Sequence, residues 1–169
     1  CFRNEGIDPS HLQEFTMLEF YAAYWDYRDN MNFIKEMLQG LVKEALGTLE
    51  FEFQGQKLDF SGEWREYKYR DLVLEYAGID LDEKNDLASL QAAVKEKNHK
   101  DIPVEKYVGY GALVDALYKK CCRPHLIQPC FLTMHPEELV PLARKSDDDP
   151  KKLDMFQVLV NGWEIVKAY

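Results

Sequence analysis

The chain has 169 residues, enough for one domain with a hydrophobic core, and carries a net charge of −9 with a pI near 5.0. This acidic balance argues against a broad basic face through which this chain alone would grip nucleic acid. No apolar run is long enough to predict a membrane span. Four cysteines without a secretory signal favour reduced thiols in a cytoplasmic protein, and no spacing typical of a zinc site is present.

The first residues predict a two-stranded hairpin. Residues 14–24 alternate between two faces, so Phe15, Glu19 and Tyr21 point the same way on a strand. The Gly, Asp, Pro and Ser of residues 6–10 are typical of a loop. We therefore expect a strand, a long loop and a returning strand.

One face of this hairpin carries an unusual set of groups. Arg3 and Glu5 lie two residues apart and share a strand face, which pairing would extend to the aromatic ring, the carboxylate and the phenol of the returning strand. A guanidinium binds phosphate or carboxylate, and a carboxylate with a phenol suits an ammonium group. The pattern is typical of a site for a nucleotide and an amino-bearing small molecule. The alternative is a ladder of ion pairs from Arg3 to Glu5 or Glu19.

The rest of the chain predicts helices in the middle and strands at the end. The predicted elements are a helix over 28–46, a hairpin over 48–60, helices over 69–79, 82–98 and 110–122, a strand over 128–136 and a hairpin over 154–169. The two hairpins turn at Gln54-Gly55 and Asn161-Gly162. This order favours an α+β domain on an antiparallel sheet.

Two strings of the N-terminal hairpin resemble a known motif. FRNEG at residues 2–6, followed by HLQEFTMLEFY at 11–21, resembles motif 2 of class II aminoacyl-tRNA synthetases, and specifically of lysyl-tRNA synthetases. LIQPCFLTMHPEELVPLAR at 126–144 and MFQVLVNGWEIVKAY at 155–169 resemble later segments of the same family. The resemblance covers essentially the whole chain in order, and motif 2 is its specific part.

The resemblance implies an incomplete catalytic core that runs from motif 2 to just before motif 3. Residues 1–25 would be the motif 2 hairpin, 26–127 a middle region of helices and a hairpin, and 128–169 the returning strands of the core. The chain lacks an initiator Met and ends in a strand-like pattern, so we expect a fragment that is inactive by itself.

The resemblance also implies roles for eight residues. Those expected at ATP are Arg3, Glu5, His11 and Phe15. Those expected at lysine are Glu19, Tyr21 and Tyr169, and Glu164 is expected to bind Mg²⁺.

The implied activity is that of a lysine–tRNA ligase. L-lysine would be activated by ATP to lysyl-adenylate and then transferred to tRNA(Lys), with Mg²⁺ as cofactor and Arg3 as the catalytic residue. In-line attack on the α-phosphorus needs positioning and charge neutralisation. The resemblance further implies a cytoplasmic protein without a membrane partner, homodimeric at full length.

Several positions depart from the family pattern. Residues 10–13 lack an Arg and an Asn of the family loop, Gln157 stands in place of a second metal-binding acid, Lys167 in place of an Asn and Val140 in place of a Ser. The loss of one acid weakens a two-carboxylate Mg²⁺ site. These departures leave open a paralogue that lysylates a protein, or a non-catalytic binding module of the same fold.

The remaining histidines and tryptophans predict structural roles. We expect His99 in a solvated turn, His125 to pack or cap at a helix exit, and His135 to shape a turn before Pro136. Trp25, Trp64 and Trp163 are expected to be packing anchors.

Overall fold

A computed structural model describes residues 1–4, 6 and 11–169 of the chain. Its helices are α1 (Tyr27–Leu46), α2 (Tyr69–Ala77), α3 (Leu87–Glu96) and α4 (Tyr110–Leu117). Its strands are β1 (Glu50–Phe53), β2 (Gln56–Asp59), β3 (Arg65–Lys68), β4 (Cys130–Thr133), β5 (Phe156–Val160) and β6 (Trp163–Ala168). Short 3₁₀ turns span Val104–Lys106, Arg123–His125 and Glu137–Leu139, and one π-helical turn spans Tyr118–Cys122.

The long first helix has well-defined ends, close to the predicted bounds of 28–46. Asp26 accepts hydrogen bonds from the backbone N–H groups of Arg28 and Asp29, and the Asp29 side chain accepts one from the Asp26 N–H. This reciprocal capping satisfies donors that the first helical turn leaves free. Gly47 ends the helix at φ 73°, a left-handed conformation that glycine adopts without a steric penalty.

The main sheet has four strands in the order β3-β4-β5-β6, and β1 pairs with β2 in a separate hairpin. β4 pairs antiparallel with β5, and β5 with β6. The α+β fold class is thereby confirmed. β3, which the sequence pattern did not predict, pairs parallel with β4, so the sheet is mixed. Its sequence Arg-Glu-Tyr-Lys is mostly charged, as suits a strand at the edge of a sheet.

Both predicted hairpin turns are confirmed. Gln54 and Gly55 have φ of 52° and 76°, and Asn161 and Gly162 have φ of 50° and 74°. Two successive residues with positive φ are the signature of a type I′ turn, whose twist matches that of the flanking strands.

The sheet separates two apolar cores, because alternate side chains of its strands point to opposite faces. Leu132 and Leu159 pack with the buried side of α2, α3 and α4. Phe131, Phe156 and Val158 pack on the other face with α1 and the β1–β2 hairpin. The face of Leu159 is the one on which the charged cleft described below opens.

Three sequence predictions need correction. The strand predicted over 14–24 is wrong, since the chain forms only a single bridge there, between Phe2 and Glu14. The helix predicted over 82–98 begins only at Leu87, because Asp86 caps it through the N–H groups of Ala88 and Ser89. The helix predicted over 110–122 is α-helical only as far as Leu117. Over the described ranges, no helix combines the length and apolarity that a membrane crossing requires.

Candidate functional site

The N-terminal residues bring two of the predicted ATP residues together. The Arg3 guanidinium lies over the Phe15 ring, with its Cζ 5.4 Å from the ring centroid. The backbone holds this arrangement: the Arg3 N–H donates to Gln13 O at 3.1 Å, and the Phe15 N–H donates to Cys1 O at 3.1 Å. A cation over an aromatic face is a favourable contact. Arg3 remains exposed and Phe15 is half-buried, so both are open to a ligand.

The other predicted residues of the hairpin are less organised. His11, Glu19 and Tyr21 are exposed, and Glu5 lies outside the described residues. Because no strand forms over 15–22, the expectation that Glu19 and Tyr21 share a strand face with Phe15 is wrong.

Instead, the segment after Phe15 leans on α1 through aromatic contacts. The Phe20 and Trp25 rings lie 5.3 and 5.5 Å from the Phe33 ring, measured between centroids. Both side chains keep more than 40% of their surface exposed. This segment is therefore attached to the core by an open aromatic contact and not by sheet pairing.

A cleft of about 390 Å³ opens between α4 with its following π-helical turn and strands β5 and β6. Its lining includes Gln157, Glu164 and Lys167, together with Val140, another position that departs from the family pattern. Its other polar lining residues are Tyr69, Asp115, Tyr118, Lys119, Arg123, His135 and Glu138. We call this the charged cleft.

A hydrogen-bonded chain crosses the charged cleft. The Gln157 amide Nε2 donates to Glu164 Oε2, and its Oε1 lies 3.1 Å from His135 Nε2. Since the Gln157 oxygen can only accept, His135 Nε2 carries the proton and its Nδ1 is a bare acceptor. Burial lowers the pKa of His135 to about 4, with Lys167 acting in the same direction, so the ring is neutral at pH 7.

The aromatic rings of two tyrosines form the floor of the cleft. The Tyr69 ring lies 5.3 Å from the His135 ring and 5.1 Å from the Tyr118 ring. Burial raises the pKa of both phenols, which therefore stay protonated. Among the described residues, the Tyr69 and Tyr118 hydroxyls and His135 Nδ1 have no hydrogen-bond partner within the protein. Buried polar atoms are rarely left unpaired, and all three belong to this one cleft.

The rim of the cleft carries charges of both signs. Lys119 pairs with Asp115 at 2.8 Å. In the part of the chain that the structure describes, Arg123 and Lys167 form no ion pair and no side-chain hydrogen bond. Desolvation by the cleft walls raises the pKa of Glu164, against the opposing effect of Lys167, Lys119 and Arg123.

Sequence reasoning missed the floor of this cleft. His135 was expected only to shape a turn, yet it is 2% exposed and bonded to Gln157. The neighbouring Met134 has φ 55°, so the chain does bend there. This bend positions the buried His135 ring. No local pattern marks Tyr69 or Tyr118, because α2 and α4 meet only in the folded chain. The expectation for His99 is wrong as well: its Nε2 lies 2.8 Å from Ala77 O in a half-buried position.

The structure thus divides the predicted residues into two groups. Arg3 and Phe15 meet at the N-terminal end, and Glu164 lies in the charged cleft. Tyr169, just past β6, is 55% exposed. Within the described part, no hydrogen bond, ion pair or ring contact joins Arg3 or Phe15 to a residue that lines the cleft.

Comparison with protein families matches the whole chain, residues 1–169, to the class II tRNA synthetases (D, K and N). The chain belongs to this family. The match covers both groups of predicted residues, so the family membership does not depend on motif 2 alone. It also spans the strings recognised at both ends of the chain.

Curated relatives narrow the comparison within the family. The chain is 39% identical over 168 residues to proteins named lysine–tRNA ligase from Dehalococcoides mccartyi and Roseiflexus castenholzii. It is 38% identical over 169 residues to one from Aquifex aeolicus. Each match covers 99% of this chain but only 33%, 34% and 28% of the respective relative. The chain therefore spans about a third of the length of the relatives that it matches.

Proposed function

We propose that this chain is part of the catalytic unit of a lysine–tRNA ligase, which activates L-lysine with ATP to lysyl-adenylate and transfers it to tRNA(Lys). The observation that carries the proposal is the match along the whole chain, with 38–39% identity to lysine–tRNA ligases. The same proposal includes a cytoplasmic protein that is homodimeric at full length.

The N-terminal end would bind the nucleotide. Phe15 offers a ring on which adenine can stack, and the exposed Arg3 guanidinium beside it can fork onto the α-phosphate and the lysine carboxylate. Glu5 and His11 complete the proposed ATP set. The ammonium groups of lysine would lie at Glu19 and Tyr21, with Tyr169 beside its alkyl chain.

Arg3 is the proposed catalytic residue because the reaction builds negative charge where its guanidinium would lie. The lysine carboxylate attacks the α-phosphorus, the bond to the bridging oxygen breaks, and pyrophosphate leaves with the electron pair. A fixed cation at the α-phosphate neutralises this charge and aligns the two reactants. Neither this step nor the later transfer to the tRNA hydroxyl requires a covalent bond to the protein.

Glu164 is the residue that we propose as a protein ligand of Mg²⁺ in this cleft. Within residues 1–4, 6 and 11–169, no group of three His, Cys, Asp or Glu side chains is arranged to hold a metal ion. Glu164 can supply one carboxylate oxygen, and Mg²⁺ often takes one or two carboxylates together with the phosphates of a nucleotide. Bound in that way, the ion would neutralise phosphate charge. Gln157 orients the Glu164 carboxylate through its amide.

The experiment that tests the proposal is calorimetric titration of this chain with ATP and Mg²⁺ and then with L-lysine. We expect ATP binding that is weakened at least tenfold by Arg3→Ala and by Phe15→Ala. Lys120→Gln, which removes an exposed charge away from the hairpin, is the matched control and should bind like the unaltered chain.

Absence of binding in the isolated chain would count against the nucleotide site as assembled here. The titration would then be repeated on the full-length protein, where binding lost in Arg3→Ala supports the proposal. Binding of neither ligand at full length would favour the non-catalytic module of the same fold.

A further inference from the structure

We propose that Cys121 is a reactive thiol that forms a mixed disulfide with a low-molecular-weight disulfide, with His99 as its general base. The pair lies outside the charged cleft. Tyr118 and Arg123, on either side of Cys121 in the chain, line the cleft, whereas Cys121 does not. The inference therefore does not depend on the proposed function.

The chain reversal after α3 places His99 against the end of α2. Asn98 has φ 60°, and the His99 N–H donates to Val94 O at 3.2 Å. The imidazole Nε2 lies 2.8 Å from the carbonyl oxygen of Ala77, the last residue of α2. Because a carbonyl oxygen can only accept, Nε2 carries the proton and Nδ1 presents a lone pair.

The lone pair of His99 Nδ1 faces a thiol. The Cys121 Sγ lies 3.6 Å from Nδ1, and since Nδ1 cannot donate in this tautomer, the thiol is the donor. Base-activated nucleophiles share one arrangement, in which the nucleophile is hydrogen-bonded to a base that a third group orients. Here the Cys121 thiol, the His99 imidazole and the Ala77 carbonyl are these three groups.

The surroundings make the thiol depend on a base. Burial raises the pKa of the Cys121 thiol, and Asp101 acts in the same direction, so little free thiolate is present at pH 7. An imidazolium formed at His99 would keep its Nε2 donor on Ala77 O, at the end of α2 where the helix dipole favours a positive charge. Lys97, whose side chain lies beside this helix end, opposes that charge.

The reaction exchanges one sulfur–sulfur bond for another. The Cys121 sulfur attacks one sulfur of the disulfide, the new S–S bond forms as the old one breaks, and the second sulfur leaves with the electron pair. The thiol proton passes to His99 Nδ1 and then to the leaving thiolate, so the imidazole returns to its neutral form. A thiolate of raised pKa is intrinsically the stronger nucleophile, which suits Cys121 to this attack once the base has taken its proton.

The thiols of Cys122 and Cys130 are arranged differently. Cys122 Sγ donates to Leu72 O at 3.7 Å, and Cys130 Sγ donates to Leu159 O at 3.8 Å. A carbonyl oxygen cannot serve as a base for the proton, and both side chains are buried, which shields them from a dissolved disulfide. We therefore expect the reaction to be selective for Cys121.

Incubation of the full-length protein with glutathione disulfide, followed by mass spectrometry, tests the inference. We expect a mixed disulfide at Cys121 before any at Cys122 or Cys130, at a rate that changes little between pH 7.0 and pH 8.5. His99→Gln should slow the reaction at least tenfold at pH 7.0. In this variant the rate should rise about tenfold per pH unit, because the thiol must then lose its proton to the solvent.

The variants separate a base from a structural role. Glutamine at position 99 can still donate to Ala77 O, so His99→Gln keeps the contact with α2 and removes the lone pair. His125→Gln is the matched control, since the His125 ring stacks on Tyr76 with 4.4 Å between centroids, and it should react like the unaltered protein. Circular dichroism and the melting temperature show that each variant is folded.

Three outcomes would overturn the inference. One is the absence of a mixed disulfide at Cys121 in the folded protein when the urea-unfolded protein forms it. Another is an unchanged rate in folded His99→Gln. The third is a rate in the unaltered protein that rises about tenfold per pH unit, which assigns the reaction to a thiolate formed without a base.

Discussion

In the charged cleft, His135 Nε2 lies 3.1 Å from Gln157 Oε1. This contact fixes the tautomer of His135 and the orientation of the Gln157 amide. The amide can satisfy Glu164 and His135 at the same time only if its nitrogen faces the carboxylate and its oxygen faces the ring. This orientation requires a proton on His135 Nε2 and a lone pair on Nδ1. A single neutral side chain on β5 thus sets the tautomer of a histidine that follows β4.

Stability should fall in mild acid because of His135. Its pKa is about 4 in the native chain, against 6.5 for an unperturbed histidine, so between these values the unfolded chain takes up a proton that the native chain refuses. The free energy of unfolding therefore decreases as the pH falls through 6.5. The contribution is about 2 kcal/mol between pH 7.5 and pH 5.

Urea denaturation of the unaltered chain and of His135→Gln measures this contribution. Glutamine can still donate to Gln157 but does not titrate, so the difference between the two free energies should shrink by about 2 kcal/mol from pH 7.5 to pH 5. A difference that stays constant over this range would show that His135 is accessible to protons in the native chain.

Gln157→Glu should convert the cleft into a better metal site. Two adjacent carboxylates repel each other, so the melting temperature should drop in EDTA. Added Mg²⁺ should restore it, because two carboxylates and water form a favourable oxygen shell. The unaltered chain should show a much smaller response to Mg²⁺. Differential scanning calorimetry measures the melting temperatures. Equal shifts with Mg²⁺ in the two proteins would contradict the assignment of position 157 to a second metal-binding acid.

Two glycines of the first helix should respond oppositely to alanine. Gly47→Ala places a side chain at φ 73° and should destabilise the chain by about 1 kcal/mol. Gly40→Ala lies inside α1, exposed and without a neighbour within 4 Å, and should stabilise it by about 1 kcal/mol. Chemical denaturation measures both. If both variants changed the free energy of unfolding in the same direction, the end of α1 at Leu46 would be contradicted.

Gly111→Ala should reshape the charged cleft. A Cβ at this position would lie 3.0 Å from the Glu138 carbonyl oxygen, so α4 and the turn at Glu137–Leu139 would have to separate. We expect a loss of about 1–3 kcal/mol in unfolding free energy. Gly62→Ala, which meets nothing within 4 Å, is the control and should leave the unfolding free energy unchanged. An unaffected Gly111→Ala variant would show that the helix and the turn adapt freely.

The sequence predicted well those features that local patterns encode. The helix predicted over 28–46 and the turn predicted at Asn161-Gly162 depend on residues within a few positions of one another, and both appear in the structure. The strand predicted over 14–24 is absent because a strand depends on more than its local pattern. Alternation alone does not make a strand, which needs a partner backbone, and the described residues supply one only at the bridge between Phe2 and Glu14.

The candidate site was predictable only where the family pattern marks it. Arg3, Phe15 and Glu164 stand out in the sequence through their motifs. His135 and Tyr118 do not, because their role arises from the approach of α4 and its π-helical turn to β5, which no local spacing encodes. The parallel strand β3 was missed for the same reason, since its partner β4 lies far along the chain.

The parallel pairing of β3 with β4 has a consequence for the order of folding. Residues 69–129 separate the two strands, so their pairing closes a large loop, whereas β5 and β6 are joined by a two-residue turn. The entropy of closing that loop is repaid only once α2, α3 and α4 have packed. We therefore expect β3 to join the sheet late and to leave it first, so that substitutions in β3 act mainly on the rate of unfolding and those in the β5–β6 hairpin mainly on the rate of folding.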